Sequence, residues 1–461
     1  MAGLAALPER RTACTPESTV RHELSFLEVM ALRAYGWLLR LAQPLLRWKL
    51  ARRSRAEPGY GQAVPERFGH YQQAAEARSE LVWIHAVSLG ETRAAAVLIR
   101  ALRSQWPGLR LLLTHGTATG RAEGQMLLRP GDVQVWQPWD TPAATARFLT
   151  HFRPRLGVLM ETEVWPQLVA QAAKRSVPLV LANARLSERS LLKAQRWSAL
   201  ARPAYGRLSA VLAQTDDDAR RLQGLGAPVQ AVLGNLKFDA TPDPAQCEWG
   251  RHRRAALPRP VLMFASSRDG EELLLLQALA LLKQPWPFDV LVVPRHPQRF
   301  EEVARLIQSH GHRLSRRSEW GDALTDWAPP AGAIWLGDSL GEMALYYSLA
   351  SSALLGGSFM PLGGQNLIEA AACGCPVIMG PHTFNFSDVA EQALEEGAAS
   401  RVSDLPQALN QAMLWFERGG STRSQQALAF TDRHRGAAQA SAAHLSQLLE
   451  RAPLAQPTLK A

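Results

Sequence analysis

Cysteine is scarce: Cys14, Cys247, Cys373 and Cys375 are the only four thiols in 461 residues. That is too few for a disulfide framework, and no second Cys or His pair follows Cys373-Gly374-Cys375 at zinc spacing. We read these thiols as small core residues of a protein kept in a reducing cytoplasm. Long apolar runs are lacking too. In MALRAYGWLLRLAQPLLRWKLARRSR, residues 30–55, the longest charge-free stretch falls short of the roughly 20 residues that cross a bilayer. Residues 1–29 are polar, mixed in charge and without an apolar signal core, so they read as an unstructured extension, with Met30 a candidate natural start. No DNA- or RNA-binding motif occurs, and the aromatics are not interleaved with basic runs as a stacking platform requires. Nucleic acid is therefore not expected as a partner. Tandem short repeats and low-complexity tracts are absent as well.

What is present is positive charge. Lys and Arg number 51 against 41 Asp and Glu, a formal net charge of +10 with a pI near 9.9. An acidic membrane face or a phosphorylated substrate fits this balance; a merely soluble basic surface is the plainer alternative. A hydrophobic share of 47% with 20% charged residues is that of a folded chain, and the length suggests two to three domains. Within residues 30–56, Arg33, Arg40 and Arg47 recur every seventh position, on one side of a helix, with Trp37, Leu38, Leu41, Leu45 and Trp48 on much of the rest. This predicts a membrane-associated helix lying in the interface, with Lys49, Arg52, Arg53 and Arg55 extending its positive flank. A helix docked on the protein's own core, or a single pass with Arg40 in the span, stays open.

Two runs of alternating strand and helix signals follow. The first places strands near 81–85, 110–114, 156–160, 179–181 and 210–213. The second places them near 261–265, 290–293, 333–336, 353–355 and 377–379. Short apolar runs between helical stretches predict an α/β fold of two doubly wound, Rossmann-like domains with parallel sheets, facing a cleft. We place an N-terminal domain at 57–239, a proline-rich linker at 240–260, a C-terminal domain at 261–445 and a flexible tail at 446–461.

Residues 356–386, GGSFMPLGGQNLIEAAACGCPVIMGPHTFNF, carry the most specific signal. Glycine pairs end a strand and lead into Gln365-Asn366, and a helix follows with Glu369 in its first turn. Glycine lets a backbone approach phosphate closely, a helix start favours an anion, and an early carboxylate can accept from ribose hydroxyls. Elsewhere, Glu91 opens a helix after the strand and loop Trp83-Ile84-His85-Ala86-Val87-Ser88-Leu89-Gly90. By position alone it is a carboxylate favouring the helix dipole. Glu161 and Glu163 lie on one side of the extended segment Met160-Glu161-Thr162-Glu163-Val164-Trp165-Pro166. No matching Asp or His set makes this a convincing metal centre, so no metal and no cofactor are expected. Thr215 before Asp216-Asp217-Asp218 reads as an N-cap with acids in the first turn.

Together these segments resemble the transferases of 3-deoxy-D-manno-octulosonic acid (Kdo), from about residue 30 to about residue 388. The matching pieces are His85-x-x-Ser88-x-Gly90-Glu91, Glu161-Thr162-Glu163-x-Trp165-Pro166, Asn183-Ala184-Arg185, Gly234-Asn235-Leu236-Lys237-Phe238-Asp239 and the glycine-rich segment. The resemblance implies a GT-B-like glycosyltransferase of the bacterial inner membrane, on its cytoplasmic face. It would move Kdo with inversion from CMP-Kdo to the lipid A precursor (lipid IVA) in lipopolysaccharide biosynthesis, in contact with anionic inner-membrane lipids. It assigns Glu91 as proton acceptor and Glu161 and Lys237 as transition-state stabilisers. CMP contacts fall on Pro294, Arg295, Leu340, Gly341, Glu342, Asn366, Leu367, Ile368 and Glu369. Arg185 would meet a sugar carboxylate, an acceptor phosphate or one of the two glutamates, and Ser266–Glu272 suits phosphate or acceptor contacts. One departure stands out: Gly363-Gly364-Gln365-Asn366-Leu367 replaces the relatives' Gly-Gly-His-Asn-Pro, removing a titratable ring. Another GT-B enzyme using a UDP-sugar, or a non-enzymatic membrane-associated binding protein, are the alternatives.

Overall fold

The computed structural model describes residues 24–76, 80–320, 332–419 and 421–451. The chain divides into two compact units, one reaching Asp239 and resuming at Gly436, the other spanning Ala240–Arg435. Cys14 and most of the expected extension lie outside the described residues.

The first unit is built on seven parallel strands: β1 Leu81–His85, β2 Arg110–His115, β3 Val133–Trp136, β4 Leu156–Met160, β5 Leu179–Ala184, β6 Ala210–Ala213 and β7 Val229–Val232. They lie in the order β3-β2-β1-β4-β5-β6-β7. The central strands are buried on both faces, as sequences such as LVWIH and LGVLM require when helices cover each side. The strand order reverses between β1 and β4, which are paired from Val82↔Leu156 to His85↔Leu159. Ligands bind in open α/β sheets at the carboxyl ends flanking such a reversal.

The second unit repeats the plan with β8 Val261–Ser267, β9 Asp289–Pro294, β10 Leu314–Arg316, β11 Ile334–Leu336, β12 Ser352–Leu355, β13 Val377–Met379 and β14 Ala399–Arg401. The order is β10-β11-β9-β8-β12-β13-β14, all parallel, with the reversal between β8 and β12.

Three expected boundaries need correction. Residues 240–260 are not a linker: Asp243 caps the helix Pro244–Ala256, accepting from Gln246 N at 3.1 Å, and the helix belongs to the second unit. Gly250 packs so closely on the helix Met343–Leu349 that a Cβ there would lie 2.6 Å from Leu345 O. Residues 437–445 do not belong to the second unit, nor are 446–451 a tail. The helix Ala437–Arg451 buries Ala442, Leu445 and Leu449 in the first unit's core with Leu98 and Leu102. Asp239 caps it, accepting from Gly436 N at 2.6 Å and Ala438 N at 2.8 Å.

The N-terminal helix begins at Phe26, not Met30. Ser25 closes a capping box with Glu28, and the helix Phe26–Leu41 ends before Pro44, where a second helix, Gln43–Ala56, starts. Arg47 is therefore on a different helix from Arg33 and Arg40. One side of the first helix docks on the unit: Gln167 Nε2 donates to Leu32 O at 2.7 Å, and Gly36 lies against Pro142 and Gln167. The other side leaves Phe26, Leu27, Trp37, Leu38 and Leu41 exposed, Leu41 by 75%, and Leu45 and Trp48 follow on the second helix. Among the described residues, no helix is long and apolar enough to cross a membrane.

Candidate active site

In the first unit, the sequence-predicted residues gather at the carboxyl ends of β1, β4 and β5. Ser88 caps the helix Leu89–Gln105, accepting from Glu91 N at 3.3 Å. The Glu91 carboxylate turns back to accept from Val87 N at 2.9 Å and from Ser88 Oγ at 2.8 Å. Burial pushes its pKa up; those two bonds and the Lys237 charge oppose the rise, while Glu161 adds to it. A carboxylate so held keeps a fixed direction and gains basicity, as a general base requires.

Glu161 follows β4 with φ of +54°, a left-handed backbone that turns its side chain into the cluster. Its buried carboxylate lies 3.0 Å from Lys237 Nζ and 3.1 Å from Arg185 Nε. Of the two glutamates left open as partners of Arg185, it is Glu161 that pairs with it. Lys237 sits on the 3-10 turn Leu236–Asp239, which Asn183 fastens to β5 by accepting from Leu236 N at 3.0 Å. Asn183 itself has φ of +52°. Its fastening role was not read from the sequence, although its place in the Asn-Ala-Arg motif was the available signal. Glu163 accepts from Trp165 Nε1 at 2.9 Å, and His85 Nε2 stands 3.9 Å from the same oxygen. Thr215 caps the helix Asp216–Gly224 as expected, accepting from Asp218 N at 3.1 Å, while the Asp218 carboxylate accepts from Leu186 N at 2.8 Å.

In the second unit the candidate nucleotide contacts all leave one edge of the sheet. Pro294 ends β9 and Arg295 follows, its N–H donating to Ser267 O at 2.9 Å. Leu340, Gly341 and Glu342 follow β11, with Leu340 exposed and Glu342 Oε1 accepting from Arg317 Nη2 at 2.7 Å. Asn366 Oδ1 accepts from Ile368 N at 3.1 Å and so starts the short helix Ile368–Ala372, which carries Glu369. Leu367 and Ile368 are buried, which orients this turn from below. The glycines permit two close approaches: a Cβ on Gly356 would lie 2.2 Å from Ser266 O, and one on Gly363 would lie 2.3 Å from Asn385 Nδ2. The expected phosphate or acceptor contacts at 266–272 are revised for two residues. Glu271 is buried, accepting from Gly357 N at 2.7 Å, Arg268 N at 2.9 Å and Phe359 N at 3.2 Å, and so ties the β8 loop to the β12 loop. Glu272 is buried with Ser267 and Arg299. Cys373 and Cys375 are core residues, with Cys247 Sγ 4.0 Å from Cys373 Sγ.

The family model for 3-Deoxy-D-manno-octulosonic-acid transferase (kdotransferase) matches residues 62–240. The chain is 45% identical over 417 residues to the 3-deoxy-D-manno-octulosonic acid transferase of Bordetella pertussis, covering 87% of this chain and 96% of that one. This chain belongs to the Kdo transferase family. The namesake from Haemophilus influenzae is 33% identical over 391 residues, covering 82% and 89% respectively. The protein is accordingly a glycosyltransferase, which sets aside the non-enzymatic reading. A UDP-GlcNAc 2-epimerase from Neisseria meningitidis, solved with UDP-GlcNAc, shares the fold: TM-score 0.53 at 14% identity, covering 80% of this chain and all of the other. The architecture is GT-B-like, as two reversal-centred parallel sheets led us to expect.

Proposed function

We propose that this transferase moves Kdo from CMP-Kdo onto the lipid A precursor, lipid IVA, with inversion at the anomeric carbon. The observation that carries the reading is the cluster in which Glu91 stands with Glu161, itself held by Lys237 and Arg185. In this reading the acceptor hydroxyl gives its proton to Glu91 as its oxygen bonds to the anomeric carbon. The bond from that carbon to the phosphate oxygen breaks, and CMP leaves. Glu161 and Lys237 stabilise the charge that develops, Lys237 as a compact cation suited to phosphate or a sugar carboxylate. Pro294, Arg295, Leu340–Glu342 and Asn366–Glu369 receive the CMP portion.

The acceptor is an amphiphile, so the enzyme is assigned to the membrane surface, on the cytoplasmic face of the inner membrane. Two features support this: the exposed apolar side of the N-terminal helices, and the exposed Arg33, Arg40 and Arg47 that suit anionic lipids. The test is a transfer assay with CMP-Kdo and a tetraacylated lipid A precursor, with products resolved by mass. Addition of Kdo, with inhibition by CMP and not UDP, is expected. No product, or transfer from a UDP-sugar, overturns the reading.

A further inference from the structure

Three carboxylates crowd the carboxyl ends of β1 and β4, and they are not equally served. Glu161 has two cations, Lys237 Nζ at 3.0 Å and Arg185 Nε at 3.1 Å. Glu91 has a backbone N–H and a hydroxyl donating to it at 2.9 and 2.8 Å. Glu163 has the Trp165 indole at 2.9 Å and, beyond it, His85 at 3.9 Å. That histidine supplies no counter-charge. It is fully enclosed, its Nδ1 is 2.7 Å from Thr114 Oγ1, and burial holds its pKa down to about 3, so the ring is neutral. Its Nε2 has no hydrogen-bond partner and faces Glu163 Oε2. The remaining groups facing Glu163 are Glu91 from the helix Leu89–Gln105, Glu161 after β4, and Tyr205 from the helix Ser198–Gly206. Glu91 and Glu161 are themselves carboxylic groups, and Tyr205 offers no cation. Like charges confined together drive a proton onto the least compensated member.

We propose that Glu163 enters the reaction as a neutral acid beside ionised Glu91, a positioning residue whose proton lets the site take the carboxylate of an acidic sugar. The proposal rests on the Kdo-transfer reading above and adds a selectivity determinant to it. The donor brings a carboxylate and a phosphate toward Glu91. With Glu161 offset by Lys237 and Arg185, an ionised Glu163 would leave a second uncompensated negative charge there, whereas a protonated one removes it and offers a donor. Burial, together with the Glu91 charge, pushes Glu163 up to about 7, so its proton is lost within the neutral range. Burial pushes both carboxyls up, but Glu91 has two donated bonds and the Lys237 charge opposing the rise where Glu163 has only the Trp165 indole, so the mutual repulsion falls on Glu163.

The test has two readouts. In the wild type, KM for CMP-Kdo should rise as pH passes through neutrality, toward about tenfold per pH unit, the limit for one ionising group. In Glu163→Gln, which is neutral at every pH, KM should stay within about twofold over that window, while kcat keeps the acid limb due to Glu91. Glu163→Asp should restore a titrating KM. A wild-type KM that does not change with pH, or a Glu163→Gln profile matching the wild type, overturns the proposal. Independently, carboxyl ¹³C spectra of glutamate-labelled protein should show one side chain titrating near neutrality that is missing from Glu163→Gln. Its absence in the wild type also overturns the proposal. If that titration is present but CMP-Kdo is not consumed, the Kdo-transfer reading falls, and the sugar-acid role with it, while the neutral acid itself stands.

Discussion

Lys237 Nζ lies 3.0 Å from Glu161 Oε1, joining a residue just after β4 to one just after β7, 76 positions later in the sequence. The bond makes the first unit's carboxyl-end cluster one electrostatic object, in which Glu161 is compensated and Glu91 is the carboxylate we propose as the base. Glu91→Gln keeps the size and both neighbours, Val87 N–H and Ser88 Oγ, but cannot take a proton. Turnover should fall by roughly 10²–10⁴-fold, the range typical of a lost general base. Calorimetric CMP affinity and melting temperature should stay near wild type. Turnover within a few-fold of wild type would remove Glu91 from the role.

Arg295 and Glu369 follow β9 and β12 in the second unit, each at the sheet's carboxyl edge. Alanine at either should raise KM for CMP-Kdo, with the acceptor KM little changed. A ribose or phosphate contact removed in this way typically costs about 1.5–3 kcal/mol when a charged group is involved. A change confined to the acceptor KM would place these side chains outside the donor contacts.

The N-terminal helices expose apolar residues with arginines among them. Each basic residue near an anionic leaflet contributes about 1 kcal/mol of attraction. Replacing Arg33, Arg40 and Arg47 with glutamate should weaken sedimentation with anionic liposomes strongly, and high salt should release most, not all, of the wild type. Serine at Trp37, Leu38 and Leu41 should weaken it further and remove the salt-resistant remainder. Unchanged sedimentation of both variants would sink the surface-binding assignment.

Asp140 caps the helix Pro166–Lys174, accepting from Gln167 N at 3.1 Å and Leu168 N at 2.7 Å, and Tyr35 of the first helix bonds to it. Burial nevertheless pushes it up to about 7, with those three bonds opposing. Its folded pKa lies above its unfolded value, so the folded state binds the extra proton between them. The corresponding stability is full below the unfolded value and is lost as pH rises through about 7. The enclosed His85 and His115, held down to about 3 and about 4, have the opposite sign: they remove stability as pH falls below their unfolded value. They are common to wild type and variant, so a comparison cancels them. The fall in melting temperature between about pH 5 and about pH 8 should be smaller in Asp140→Asn than in wild type. An equal fall in both proteins would show that Asp140 ionises without cost.

The central strands and the doubly wound parallel sheets were legible in the sequence. So were the loops that carry Arg295 and Glu369. Glu91, Glu161 and Lys237 were legible there only through their resemblance to Kdo-transferase motifs. Strands buried on both faces must be apolar throughout, and loops at their ends carry the glycines and acids that chemistry needs, so both leave local signals. Four strands left none: VQVW, VQAV, LSR and ASR, which form β3, β7, β10 and β14. Each is an edge strand, half covered and three or four residues long, so neither an unbroken apolar run nor a sustained alternation marks it. Other features were decided only by tertiary structure, because they depend on residues far apart in sequence. The helix Ala437–Arg451 returns to the first unit because Asp239 caps it and Leu98 and Leu102 bury it. Residues 244–256 form a packed helix because Gly250 admits the backbone of another. Glu163 is the least compensated of three acids because its neighbour from β1 is a histidine that burial keeps neutral. Local sequence specifies which groups can carry charge; three-dimensional burial and pairing determine which of them do.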